Sequence, residues 1–196
     1  MKTIVEILKF LFRLYYYTVY PVRLIGESNI PTEGAAILCA NHISLRDPII
    51  LLLRLKRAVS FMAKAELFRI RIVGAVLRGA GAFPVDRGRA DLSAIRESMR
   101  ILKAGGVLGI FPQGTRSAGN ARTQMHGGAA LIEQRSKAPV IPIYIQGPYR
   151  AFRKTEIRIG APVDLSAFGT RSDSATIEQV TERIDGAIWA LESGAA

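Results

Sequence analysis

Apolar residues fall into two rhythms along this chain. Short continuous runs at 35–40 (AAILCA), 58–63 (AVSFMA), 81–85, 107–111 and 140–145 predict buried strands, with another at 157–159. Between them, apolar positions recur at helical spacing and predict helices over 48–55, 65–77, 91–103, 127–135 and 176–191. The helix after Asp91 is the clearest, because Leu92, Ile95, Met99 and Leu102 recur at three- and four-residue steps and Gly105 and Gly106 follow its end. Thr176 and Gln179 predict a capping box for the last helix. Strands alternating with helices define an α/β fold, a single domain with a mixed, mostly parallel central sheet flanked by helices.

The first 22 residues break this alternation. They are rich in apolar and aromatic side chains, but Lys2, Glu6, Lys9 and Arg13 interrupt them at helical intervals. A spanning helix needs about 20 mainly apolar residues, and the uncharged stretch from Leu14 to Val22 is much shorter. A signal peptide also fits poorly, since charges cut the apolar run and no small-residue cleavage site follows. Two readings remain open. In one, residues 1–22 are an amphipathic helix lying in a bilayer interface, with Ile4, Ile7, Leu8, Leu11, Phe12 and Tyr15 among acyl chains and Lys9 and Arg13 at headgroups. In the other, the helix packs on the domain formed by residues 23–196. The tyrosines at 15, 16, 17 and 20 favour the interface, where amphipathic rings settle.

Length and charge narrow the picture further. With 196 residues, 49% of them hydrophobic, the chain fills one core, and it contains no linker, repeat or low-complexity tract. A net charge of +11 means that the surface attracts polyanions: nucleic acid, anionic lipid or phosphorylated metabolites. The single cysteine, Cys39, forms no internal disulfide and sits in an apolar strand, which marks it as a core residue. No structural zinc spacing, P-loop, dinucleotide fingerprint or Gly-x-Ser-x-Gly elbow is present.

Polar residues cluster where the strands end, the usual location of ligand sites in α/β sheets. Directly after the 35–40 run comes Asn41-His42-Ile43-Ser44-Leu45-Arg46-Asp47-Pro48. An imidazole is suited to taking a hydroxyl proton near neutral pH, and a carboxylate can fix its tautomer. On a straight helix the two side chains would point about 140° apart, so they meet only if the chain turns between them. Pro48 supports such a turn and makes Asp47 a predicted N-cap. The alternative is a capping Asp47 with no chemical role. Two further loops, Phe83-Pro84-Val85-Asp86-Arg87 and Phe111-Pro112-Gln113-Gly114-Thr115-Arg116-Ser117, each place an arginine after a buried strand, an arrangement suited to a phosphate. His126 lies in a Gly-rich polar loop and is expected to be solvated.

These blocks, with Met62-Ala63-Lys64-Ala65-Glu66-Leu67-Phe68 and Val140-Ile141-Pro142-Ile143, resemble in order and spacing the glycerolipid acyltransferases of the 1-acyl-sn-glycerol-3-phosphate type, also called lysophosphatidic acid acyltransferases. The resemblance covers roughly residues 25–165. It implies direct transfer of a fatty acyl group from acyl-ACP or acyl-CoA to the free hydroxyl of 1-acyl-glycerol-3-phosphate, giving phosphatidic acid. In that scheme His42 is the general base and Asp47 orients it. Arg87 and Arg116, with Lys64 nearby, hold the acceptor phosphate; Gln113, Gly114 and Thr115 position the acceptor, and Asn41 and Ser44 support the loop. The implied partners are an anionic membrane surface, a lysophospholipid acceptor and an acyl carrier protein or coenzyme A thioester, with no nucleic acid. No metal or other cofactor is expected, because a thioester and an alcohol need only positioning, a base and oxyanion stabilisation.

One position departs from the family pattern. The third block usually carries Glu where this chain has Gln113, and an amide keeps hydrogen bonds and volume but no negative charge. Two alternatives therefore stay open: transfer to a different lysolipid, and a non-catalytic basic module binding membrane or RNA on the same fold. Without a secretion signal, the expected location is the cytoplasmic face of the cell membrane, as a peripheral protein.

Overall fold

The computed structural model describes residues 2–86, 92–116, 122–169 and 173–194, and in residues 2–9 the backbone alone. In chain order the elements are α1 (Lys2–Val19), β1 (Val22–Ile25), β2 (Ala36–Ala40), α2 (Arg46–Arg54), β3 (Val59–Lys64), α3 (Ala65–Arg69), α4 (Arg71–Gly79), β4 (Phe83–Val85), α5 (Leu92–Lys103), β5 (Val107–Ile110), α6 (Gly128–Ser136), β6 (Val140–Ile145), β7 (Thr155–Ile159) and α7 (Ser174–Ala190). The seven strands form one sheet in the order β1-β7-β6-β2-β5-β3-β4. Every pairing is parallel except β6 with β7, so β7 and β1 run against the other five. The sheet is mixed and mostly parallel, as the alternation of runs implies.

Side-chain alternation explains why the central strands read as unbroken apolar runs. In β2 all five residues are buried, because both faces of the sheet are covered. Ile37 and Cys39 join one core cluster with Leu102, Ala129, Ile132 and Ile184, while Ala36, Leu38 and Ala40 join the opposite cluster with Ile50, Leu51 and Ile143. Cys39 is fully buried, and desolvation pushes its thiol up to about 12, consistent with its reading as a core residue.

Several boundaries differ from the sequence reading. The first helix ends at Val19, and Val22 already belongs to β1, a four-residue edge strand absent from the prediction. Its one-sided, half-buried pattern carries little hydrophobic signal. The helix expected at 65–77 is two helices that break at Ile70, whose backbone is extended. Asp173 caps α7 by accepting from the Thr176 backbone N–H at 2.9 Å, so the capping box expected at Thr176 sits three residues too late. Thr176 instead returns its hydroxyl to Asp173 at 2.9 Å.

Tyr16 on α1 is buried in the α2-side core, and the Tyr17 hydroxyl donates to the Leu53 carbonyl at 3.0 Å. Phe10, Leu11, Phe12, Leu14 and Tyr15 remain exposed, Phe10 by 63%. Thus α1 packs on the domain with one side and leaves a largely apolar side uncovered. No helix among the described residues is long and apolar enough to cross a membrane.

Candidate active site

The sheet delivers its polar loops to one end. β2 and β5 are parallel neighbours, so the chain after Ala40 and the chain after Ile110 leave the sheet side by side. Asn41, completely buried, clamps the start of the first loop to β6: its amide donates to the Ile145 carbonyl at 3.0 Å, and its oxygen accepts the Ile145 N–H at 2.7 Å. Both partners are backbone groups, so only a side chain with a donor and an acceptor can make this clamp.

The chain turns over residues 43–45 and brings Asp47 back to His42. His42 Nδ1 lies 2.8 Å from Asp47 Oδ2, which also accepts the backbone N–H groups of Ile43 at 2.7 Å and Ser44 at 2.8 Å. Asp47 is therefore not the N-cap of α2, as the sequence suggested, but lies inside its first turn, with Leu45 at the cap position. Its carboxylate is drawn back toward the preceding loop by these three donors. Pro48 falls two residues into the helix, where its missing N–H costs no intrahelical bond. With the acceptor Asp47 on Nδ1, an imidazole in its neutral form carries its proton on Nδ1 and has Nε2 as its acceptor nitrogen. Ser44 further braces the turn by accepting the Arg46 N–H on its hydroxyl at 3.2 Å.

The third block closes around this pair. Gln113, only 2% exposed, accepts the His42 backbone N–H on Oε1 at 2.9 Å. Its Nε2 is buried and has no hydrogen-bond partner among the described residues. The Phe111 ring stacks on the imidazole, with centroids 4.2 Å apart and planes 22° apart, and Phe61 from β3 stacks on Phe111 at 5.5 Å. Gly114 takes a left-handed φ of +67°, and a Cβ there would lie 2.9 Å from the His126 ring. The expectation of a solvated His126 is met only in part: it is exposed, but its backbone N–H is tied to the Pro112 carbonyl at 2.8 Å and its ring borders Gly114.

The remaining predicted residues are placed less closely. Thr115 and Arg116 are exposed beyond Gly114. Lys64 ends β3 and pairs with Glu66 at 3.0 Å. Arg87 lies outside the described residues. Two residues that no motif signalled stand beside the site, Tyr149 next to Asp47 and Tyr20 next to Arg46 and Tyr149. The Tyr149 hydroxyl is buried near Asp47 without meeting hydrogen-bond geometry; burial foremost, then the negative charge of Asp47, raises its pKa. Tyr20, just beyond α1, sits 4.7 Å from the Arg46 guanidinium and 6.5 Å from the Tyr149 ring. Aromatic runs and a helix-loop arginine hold no spacing that would have revealed these contacts.

Residues 21–146, which include the buried His-Asp pair and six of the seven strands, match the family described as Acyltransferase. The chain belongs to that family. It is 32% identical over 178 residues to the 1-acyl-sn-glycerol-3-phosphate acyltransferase of Bacillus subtilis (strain 168), covering 88% of each chain. The protein of the same name from Streptococcus pneumoniae is 35% identical over 155 residues, spanning 76% of this chain and 57% of that one. The crystal structure of the 1-acyl-sn-glycerophosphate (LPA) acyltransferase PlsC from Thermotoga maritima superimposes with a TM-score of 0.71 at 29% identity, covering 96% of this chain and 79% of the other.

Proposed function

We propose that this protein transfers a fatty acyl group from an acyl thioester to the free hydroxyl of 1-acyl-glycerol-3-phosphate, producing phosphatidic acid. The observation that carries this reading is the buried imidazole held through Nδ1 by Asp47, at the strand ends of a family acyltransferase. In the reaction, Nε2 of His42 takes the acceptor proton as the hydroxyl oxygen attacks the thioester carbonyl. The tetrahedral intermediate then expels the thiolate, which takes the proton back from the imidazolium. Asp47 stabilises the imidazolium and is itself fixed by two backbone donors. A thioester is already activated, so this route requires no metal or redox group.

Arg87 and Arg116, with Lys64, are the proposed phosphate ligands, and Gln113, Gly114 and Thr115 the acceptor-positioning segment. Gln113 supports this assignment through its division of labour: Oε1 secures the His42 loop while Nε2 is left for substrate. Asn41 and Ser44 hold the loop that carries the base. The exposed side of α1, together with Phe152, is the proposed contact with an anionic membrane, placing the protein peripherally on the cytoplasmic face. Phe152 is 75% exposed, stands between Arg150 and the Arg153-Lys154 pair, and is joined to the end of α1 by its N–H bond to the Val19 carbonyl at 2.7 Å. Acyl carrier protein and coenzyme A, both polyanionic, are the proposed donors.

Purified protein is to be given a panel of lysolipids with each thioester donor, beside His42→Ala, and the products read by lipid mass spectrometry. Phosphatidic acid from the native protein, and none from a folded His42→Ala, is the expected result. Charge-dependent binding to lipid or RNA without turnover in either protein would replace this reading with the binding module.

A further inference from the structure

The α3–α4 pair violates the usual logic of a surface helix. A helix on a globular domain turns its apolar stripe inward and its charges outward. Here the only buried residue of α4 is Gly74, and α3 has none. Leu67, Ile70, Ile72, Val73 and Val76 are all exposed, Ile72 by 78% and Val76 by 65%. This outward display is locked in place, because a Cβ at Gly74 would lie 2.5 Å from the Phe68 carbonyl oxygen: the two short helices close on each other through their backbones. Five exposed apolar side chains on and between two adjoining short helices, accompanied by arginines, mark an interaction surface.

We infer that the outer face of α3–α4 is a second bilayer contact, separate from α1, with its apolar side chains among acyl chains and Arg69, Arg71 and Arg78 at anionic headgroups. Charge selects the occupant. α4 has two arginines and no acid, and the one acid of α3, Glu66, is engaged by Lys64 at 3.0 Å. Arginines bordering an apolar stripe suit a negatively charged lipid surface. Position agrees: β3 is parallel to β5, which is parallel to β2, so α3 begins at the same end of the sheet from which the His42 loop emerges. The substrate argument rests on the acyltransferase reading, since an acceptor carrying one long chain resides in the bilayer. Two contacts, one at α1 and one on the β3-β4 side of the sheet, would fix the tilt of the catalytic end, which a single helix leaves free.

The test places an environment-sensitive fluorophore at Val76→Cys, and separately at Phe12→Cys, in the full chain; the native Cys39 is buried. Vesicles of phosphatidylglycerol and phosphatidylcholine with brominated acyl chains should shift the Val76 probe to the blue and quench it by at least about twofold, since bromine acts only at acyl depth. Ile72→Ser with Val76→Ser should weaken vesicle binding on the order of tenfold, while transfer to acceptor dispersed below its micelle concentration stays unchanged. An unquenched Val76 probe beside a quenched Phe12 probe overturns the second contact and leaves α1 intact. A Val76 probe that responds to protein concentration without lipid assigns the face to a second copy instead, which also overturns it. Quenching at Val76 in a protein that transfers no acyl group upholds this contact and removes the catalytic reading alone.

Discussion

The ring of His42 rests on Phe111 at 4.2 Å, and behind that pair Phe61 lies against the backbone of Gly109. The imidazole is thus seated on an aromatic column whose foot is a glycine in β5. A Cβ at Gly109 would come within 2.2 Å of the Phe61 ring. Gly109→Ala should therefore destabilise the fold by about 1–3 kcal/mol and displace the column. Urea unfolding measures the first effect; a drop in kcat beyond the unfolded fraction measures the second.

Asp47→Asn tests the three-donor seat. The amide oxygen can keep some of the bonds from Ile43, Ser44 and His42, but it brings no charge to the imidazolium. The variant should remain folded and lose about 10³-fold or more in kcat, by analogy with other His-carboxylate pairs. Steady-state kinetics together with circular dichroism decide this, and retention of more than a tenth of native kcat would contradict the role.

Gln113→Glu restores the residue usual in the family. Either carboxylate oxygen can accept the His42 N–H, so the base should stay in place and kcat should change by no more than a few-fold. What disappears is the unpartnered Nε2 donor, and KM for the acceptor should rise by about tenfold. A fall of several orders in kcat would show that the amide acts on the reaction itself.

Burial holds the Cys39 thiol up to about 12, above its ordinary value of 9.0. The neutral thiol is therefore favoured in the folded state, and its contribution to stability is complete below pH 9. That contribution falls as pH rises from 9 toward 12, on the order of 1 kcal/mol per pH unit, because only the unfolded chain ionises there. Cys39→Ala should flatten this part of the alkaline limb in denaturant titrations. In the native protein, a thiol reagent at pH 8 should react only at the rate of opening.

The parts that the sequence made legible are those governed by two-sided burial. β2, β5 and β6 are covered on both faces, so their residues form continuous apolar runs, and the polar blocks directly beyond β2 and β5 had to emerge at one end of a parallel sheet. His42, Asp47, Asn41 and Gln113 follow from that logic, and the structure brings these four together. β1 escaped because an edge strand needs little burial, and the break at Ile70 because a short reversal between apolar segments leaves periodicity nearly intact. Tyr149 and Tyr20 come to the Asp47 region through tertiary packing alone, Tyr149 lying 129 residues from Tyr20 and 107 from His42 in the chain. A carboxylate that gathers donors from behind its own helix likewise looks, in one dimension, like an ordinary cap.

The reversal between β6 and β7 has a consequence for where the leading helix stands. Since β1 runs alongside β7, Val22 at its beginning is level with Thr155, close to where β6 has just finished. Had β1 run in the majority direction, the leading helix would have joined the rear of the sheet, remote from the His42 loop. Turning one pair of strands around puts the leading helix and the His-Asp pair on the same shore.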